Sequence, residues 1–132
     1  MTIFQDMDRQ EHAIKAVDTA LTLLATTEVL NQENRGQPLT IHMGLNSGVA
    51  LVGSTRFEGL RGARWTFTAS GPVTNLAARL AGVAEAGQIL VGPETVQRLG
   101  DRYRLDSLGR ERLKNIAEAV DIHRVLGLSS RI

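Results

Sequence analysis

Apolar residues at helical spacing predict a long first helix with one face in the protein core. Asp8 can cap its first turn, with Glu11 three residues later, and the pattern fades between Asn31 and Gly36. Residues 1–4, which precede this helix, are apolar and strand-like. The stripe that faces the core consists of Ala13, Val17, Ala20, Leu21 and Leu24.

A second helix is predicted directly after a half-buried strand. Apolar and polar residues alternate over positions 65–69, which is typical of a strand with one buried face. Ser70 can then cap a helix, Gly71 can form a tight turn, and Pro72 suits the first helical turn, where its missing N–H is not needed. The apolar face of this helix would consist of Val73, Leu76, Ala77 and Leu80.

Three polar residues around the start of this helix form a candidate site. Asn75 and Arg79 are four residues apart, so they share one side of the helix and point away from its apolar face. Thr68 lies just ahead, on the strand face opposite residues 65 and 67. These side chains can line a cleft, although an ordinary amphipathic helix with a solvated asparagine and arginine has the same spacing.

The remaining pattern predicts further short strands and one short helix. Residues 39–45 and 49–52 are predicted to pair as strands through a tight turn at residues 46–48. Residues 54–63 are predicted to form a polar loop. The rest of the chain is predicted to contain a strand at 88–91, a short helix from Pro93, and strands at 103–108, 111–113 and 120–126.

Composition and charge indicate one domain without a charged partner surface. The chain has 132 residues, of which 42% are hydrophobic, and this is enough for a single core. Its 15 basic and 14 acidic side chains give a net charge of +1, which favours neither nucleic acid nor an anionic membrane as partner. The absence of cysteine excludes disulfides and thiolate chemistry. No stretch has the apolar length of a membrane span or the pattern of a signal peptide, so a cytoplasmic domain is expected.

The stretch from Thr68 to Leu80 resembles the catalytic domain of class III nucleotidyl cyclases, which make cyclic AMP or cyclic GMP from the nucleoside triphosphate. The shared pattern is Thr68-x-x-Gly71-x-Val73-x-Asn75-Leu76-Ala77-Ala78-Arg79-Leu80. Two further stretches resemble family motifs, a glycine-spaced turn and a lysine-containing segment before the last strand. They are Gly44-Leu45-Asn46-Ser47-Gly48 and Leu113-Lys114-Asn115-Ile116.

The resemblance implies roles for four side chains. Asn75 would orient the ribose, and Arg79 would stabilise charge that develops on the transferring phosphoryl group. Thr68 would contact the base, and Lys114 would bind the triphosphate. Asn75 and Arg79 are thus the candidate catalytic residues, and Thr68 and Lys114 the candidate substrate-binding residues. ATP is the favoured substrate by this comparison, and GTP stays open.

The two metal-binding aspartates of the family have no counterpart in the stretch that resembles it. Cyclases hold two Mg²⁺ or Mn²⁺ ions on two aspartates, at the end of the first strand and in the hairpin that follows, and the similarity begins after both. Asp6 and Asp8 lie near the start, but one is expected in a turn and the other at a helix cap. We therefore expect residues 1–132 to form a single partial cyclase domain that lacks the metal-binding aspartates.

The resemblance also implies a fold and a partner. The expected fold is α+β and ferredoxin-like, truncated at its N-terminus, with helices packed on a mainly antiparallel sheet. Family active sites form between two protomers, so this chain would supply the ribose- and transition-state-binding half-site. It would act as a homodimer or heterodimer with a cyclase domain that carries the aspartates, and would be inactive alone. The alternatives are a catalytically silent dimerisation or regulatory module and a generic ferredoxin-like binding domain.

Overall fold

A computed structural model describes residues 1–4, 8–34, 36–59 and 62–129; for residue 9 and residues 51–59 and 62–68 it describes the backbone alone. This part of the chain contains three helices and six strands. In chain order they are α1 (Arg9–Glu33), β1 (Met43–Leu45), β2 (Leu51–Gly59), β3 (Gly62–Ser70), α2 (Pro72–Val83), β4 (Ile89–Val91), α3 (Pro93–Leu99), β5 (Tyr103–Glu111) and β6 (Val120–Leu128).

The strands form a mixed four-stranded sheet and a separate two-stranded ribbon. The sheet has the order β1-β4-β6-β5, with β1 parallel to β4 and with β6 antiparallel to both β4 and β5. The ribbon consists of β2 and β3, which are antiparallel. The predicted α+β class, with helices against a mainly antiparallel sheet, is confirmed. No helix in the described part of the chain is long and apolar enough to cross a membrane.

Helices cover both faces of the sheet. Ile89 and Val91 of β4 belong to one buried cluster with α1 and α3, whereas Leu90 between them belongs to a second cluster with α2. Because successive side chains of a strand point to opposite faces, α1 and α3 lie on one face and α2 on the other. The second cluster consists of Leu80, Ala84, Leu90, Leu113 and Ile122.

The predicted hairpin between residues 39–45 and 49–52 is wrong. Strand β1 has only three residues and pairs in parallel with β4, with Gly44 opposite Leu90. Strand β2 begins at Leu51 and pairs with β3 instead, so most of the predicted polar loop at 54–63 is strand. The turn-forming residues 46–48 mark the end of β1 rather than a hairpin, because strand pairing is decided by long-range packing that a local turn signal does not contain.

The first helix forms as its sequence predicts. Asp8 is the N-cap, and its Oδ1 accepts hydrogen bonds from the backbone N–H groups of Gln10 and Glu11 at 2.9 and 2.8 Å. Across the core, the Tyr103 hydroxyl donates to Asp18 Oδ1 at 2.5 Å. Burial of the Tyr103 hydroxyl and this bond raise its pKa to about 12. The bond ties α1 to the start of β5.

The second helix starts one residue later than its predicted cap. Ser70 is the last residue of β3, and Gly71 is the N-cap, with φ of 110° and no side-chain cap bond. A positive φ of this size is readily adopted only by glycine, which lets the strand turn sharply into the helix. Pro72 then occupies the first helical turn as predicted.

Candidate active site

Helix α2 lies directly on strand β1, at a contact that only glycine permits. A Cβ atom on Gly44 would come within 2.3 Å of the Ala81 nitrogen and 2.6 Å of the Ala77 carbonyl oxygen. Any side chain at this position would therefore push the helix away from the strand. The distance between α2 and the sheet is set by backbone contact.

Polar side chains hold α2 on either side of Gly44. His42 donates from Nδ1 to the Ala81 carbonyl oxygen at 2.7 Å. Asn46 donates from Nδ2 to the Val73 carbonyl oxygen at 3.1 Å. Residues 42, 44 and 46 share one face of the extended chain because they alternate, and they contact α2 near its end, middle and start. Together they fix the position of the helix along the strand.

Asn75 and Arg79 lie on the side of α2 that faces away from this contact. They are one helical turn apart; Asn75 is exposed and Arg79 is half-buried. Asn75 belongs to the first turn, because its backbone N–H donates to the Gly71 carbonyl at 3.0 Å. Within the described residues, neither side chain has a hydrogen-bond or ion-pair partner. Both are therefore available to a ligand that approaches this side of the helix.

A tight turn places Lys114 beside the same helix. The Ile116 N–H donates to the Leu113 carbonyl at 3.1 Å, and Lys114 between them is exposed. Leu113 is buried in one cluster with Leu80, and Ile116 and Leu76 pack against that cluster. Each of these two helix leucines directly follows a candidate catalytic residue in the sequence. The lysine turn thus packs next to the flank of α2 that carries the asparagine and the arginine.

Thr68 belongs to strand β3, where its backbone is opposite Gly53. The strand runs through Gly71 straight into α2, so Thr68 lies near the end of the strand that leads into the helix of Asn75 and Arg79. The side chain of Thr68 lies outside the described residues. Its contact with a base stays a prediction.

A divalent metal does not fit the residues that the structure describes. In these residues no three His, Asp or Glu side chains are grouped so that they could hold an ion. Asp6, one of the two aspartates near the start of the chain, lies outside the described residues. The other, Asp8, uses its carboxylate to cap α1. No step of the chemistry below is derived through a metal on this chain.

A groove of about 590 Å³ opens between α1 and α2, along the edge strand β1. It is lined mainly by residues 1–4 and by small side chains of the three elements. The contribution of α2 consists of Val73, Thr74, Ala77, Ala78 and Ala81, and the two candidate catalytic residues lie on the other flank of the helix. Neither the groove nor the anchors His42 and Asn46 were predicted from sequence. Polar residues and glycines that alternate over 42–48 were the only available signal.

Comparison of the chain with known families defines the class of protein. The sequence model of one protein family, the adenylate and guanylate cyclase catalytic domain, matches residues 1–126. The class is thus a nucleotidyl cyclase catalytic domain, as the sequence motif predicted. The chain belongs to the family of adenylate and guanylate cyclase catalytic domains.

Individual relatives agree with this assignment. Adenylate cyclase 1 of Rhizobium meliloti is 29% identical over 122 residues, which are 89% of this chain and 18% of that protein. The adenylyl cyclase CyaB from P. aeruginosa is 30% identical, with a TM-score of 0.80 over 97% of this chain and 66% of that one. The guanylate cyclase domain of RhGC from Catenaria anguillulae, solved with GTP, has a TM-score of 0.77 over 93% of this chain and 63% of that one.

The last of these relatives is 23% identical and supports the fold alone. The chain spans less than two thirds of each of these two solved relatives and less than a fifth of the Rhizobium protein.

Proposed function

We propose that this chain supplies the half of a nucleotidyl cyclase active site that contains Asn75 and Arg79. The active site would convert a nucleoside triphosphate, ATP in the first place and GTP as the alternative, into the 3′,5′-cyclic nucleotide and pyrophosphate. The observation that carries the proposal is the position of the two side chains. Neither side chain has a hydrogen-bond or ion-pair partner among the described residues. Both project from a helix whose opposite side contacts the sheet at Gly44. Such a helix can hold two groups in a constant relation to a substrate.

The reaction closes a ring within the substrate. The ribose 3′ oxygen bonds to the α phosphorus, the bond from that phosphorus to the bridging oxygen breaks, pyrophosphate leaves, and the hydroxyl proton passes to water. Catalysis of such a step consists mainly of positioning and of stabilising negative charge. Arg79 carries several N–H donors in a fixed plane, which suits the oxygens around the transferring phosphorus. Asn75 offers both an amide donor and an acceptor, which suits a ribose hydroxyl.

The substrate-binding roles follow the same chemistry. Lys114 is a compact positive charge on an exposed turn beside α2, and we assign it to the triphosphate. Thr68 has a hydroxyl that can donate and accept, and we assign it to the base because it stands directly before the helix. This assignment leaves the choice between adenine and guanine to residues outside the four.

Members of this family use Mg²⁺ or Mn²⁺, which neutralise phosphate charge when bound. The described residues of this chain do not fit such an ion. We therefore propose that the metal carboxylates come from a different cyclase domain across a heterodimer interface, because a homodimer would only repeat the described residues that do not fit the ion. In this proposal residues 1–132 form a single partial catalytic domain that acts in cytoplasmic cyclic-nucleotide signalling and is inactive alone.

A second candidate function is a catalytically silent dimerisation or regulatory module of cyclase ancestry. The observation that favours it is the lack of a metal-binding group among the described residues. Such a module would keep the fold and the interface, and its Asn75 and Arg79 would be dispensable for any activity of the partner.

The deciding experiment is a complementation assay. The chain is mixed with a cyclase domain that carries the metal aspartates but whose own asparagine and arginine are substituted, and cyclic nucleotide is measured with Mn²⁺ and ATP or GTP. We expect turnover in the mixture and none from either protein alone. Arg79→Ala should lower kcat by roughly a hundredfold or more, because it removes a group that stabilises developing charge. Arg104→Ala, an exposed arginine on β5, is the matched control and should leave kcat unchanged.

Turnover by the chain alone that disappears in Arg79→Ala would show that it also binds metal, and would refute the half-site. Equal turnover of the Arg79→Ala and wild-type mixtures would refute the catalytic role of Arg79 and favour the silent module.

A further inference from the structure

We infer that Asn46 is a positioning residue, which fixes the first turn of α2 and thereby the place of Asn75. No role was assigned to Asn46 by the sequence motif beyond membership of a glycine-spaced turn. Its effect on catalysis rests on the proposed function, whereas its effect on the helix can be measured without any activity.

The first turn of α2 has no anchor of its own. Gly71 occupies the N-cap and has no side chain to accept a hydrogen bond from the free N–H groups of the turn. Pro72 follows and fixes one backbone angle, but it has no N–H group to donate to a neighbouring element. The orientation of this turn must therefore come from neighbouring elements.

Asn46 supplies the polar part of that anchor. Its Nδ2 donates to the Val73 carbonyl at 3.1 Å, one helical position after Pro72. The opposite orientation of the amide would place Oδ1 against the carbonyl oxygen, and two acceptors cannot bond. A Cβ on Gly92 would lie 2.8 Å from Oδ1, so the amide is confined between the start of α2 and the end of β4. The buried Oδ1 has no hydrogen-bond partner within the described residues.

The other contacts of the helix make Asn46 the decisive one for the first turn. The closest backbone contact, at Gly44, lies at Ala77 and Ala81, beyond the first turn. The His42 bond also reaches Ala81, at the far end of the helix. If the Asn46 bond is lost, these contacts still hold the later turns, and the start of the helix can tilt about them. Near the start of the helix, the apolar packing of Val73 beside Gly48 would remain.

Asn46→Leu tests this role with little loss of overall stability. Leucine has a similar shape, removes the donor, and also removes the unpartnered buried acceptor, and replacing such a group by an apolar one can be nearly neutral. The Val73 carbonyl keeps its helical hydrogen bond. The matched control is Asn31→Leu, since Asn31 also ties a helix to a loop, with two 2.8 Å bonds to the backbone of Leu39, but on α1.

Amide hydrogen exchange of the full chain provides the readout that does not depend on activity. In Asn46→Leu, the amide of Asn75, whose bond to the Gly71 carbonyl closes the first turn of α2, should exchange at least tenfold faster than in wild type, and the end of the helix should change little. In Asn31→Leu the increase should be confined to the end of α1 and the loop at Leu39. Equal exchange of the first turn of α2 in both variants would overturn the inference. If Asn46→Leu does not fold, Asn46→Ala is measured in the same way.

The complementation assay provides the catalytic readout. Asn46→Leu should lower kcat about tenfold with KM for the nucleotide within about twofold, because displaced groups lose transition-state contacts more than ground-state binding. Asn31→Leu should leave both constants unchanged. Equal losses in the two variants would overturn the inference and indicate general destabilisation. If the wild-type mixture shows no turnover that depends on Arg79, the proposed function fails, and hydrogen exchange alone decides the role of Asn46.

Discussion

Substitution of Gly44 by alanine is the sharpest test of how α2 is held. The new Cβ would lie 2.3, 2.6 and 2.8 Å from the Ala81 nitrogen, the Ala77 oxygen and the Leu80 carbonyl carbon. All three are backbone atoms of the helix, so none can turn away as a side chain would. To restore an ordinary contact, the helix must retreat by about 1 Å, and a close-packed interior resists such a movement.

The expected cost follows from this movement. Overpacking a core costs about 1 to 3 kcal/mol, and a collision with rigid backbone belongs at the upper end of that range. A loss of about 3 kcal/mol lowers the unfolding midpoint of a domain of this size by roughly 10 °C. In the complementation assay, a helix displaced by about 1 Å is expected to lower kcat by up to a hundredfold.

Gly82→Ala is the matched control for Gly44→Ala. Gly82 lies in α2, directly after Ala81, which Gly44 contacts. Nothing lies within 4 Å of the position that a Cβ on Gly82 would occupy. Alanine there should raise stability by about 0.5 kcal/mol, since it favours the helical backbone. Circular dichroism with heat and urea measures both variants. Midpoints for the two that agree within about 2 °C would refute the backbone contact as the determinant of helix position.

Two further predictions concern α1 and the lysine turn. Tyr103→Phe should cost about 1 to 2 kcal/mol at neutral pH by removing the bond to Asp18. The folded-state pKa of Tyr103 is raised from 10.0 to about 12, so the free energy of unfolding of the wild type should fall as pH rises through this range. Tyr103→Phe should remove this part of the pH dependence. Absorbance of the tyrosinate form follows the titration, because the chain has a single tyrosine. Lys114→Ala should raise the nucleotide KM roughly tenfold with kcat little changed, whereas the exposed neighbour Arg112→Ala should not; equal effects in steady-state kinetics would count against the triphosphate role.

The helices could be predicted because their signals are local. The cap at Asp8, the apolar stripe that follows, and the proline after Gly71 are all read from neighbouring residues, and α1 and α2 form where they indicate. The error of one residue at Ser70 has a physical reason. Serine is a good cap, but the strand continues through it, and only glycine can adopt the positive φ that the sharp turn requires.

Strand pairing could not be predicted in the same way. Residues 46–48 have the composition of a tight turn, yet β1 pairs with β4, which lies beyond both the ribbon and α2 in the chain. Parallel pairing requires a long connection, and the two partners contain no sign of each other in their sequences. The three residues of β1 are also too few for an alternating pattern to identify their faces.

The candidate site shows the same division between local and long-range information. Asn75 and Arg79 are recognised by spacing and residue type, since the roles proposed for them require chemistry that only a few side chains provide. Gly44 and Asn46 carry no such chemistry, and their contacts with α2 appear only when this helix is known to lie on β1. A motif therefore identifies the groups that we propose to face a substrate, whereas the groups that hold them in place are defined by packing. If this is correct, variants on the inner side of α2 should change kcat without touching nucleotide, and those on its outer side should change kcat without loosening the helix.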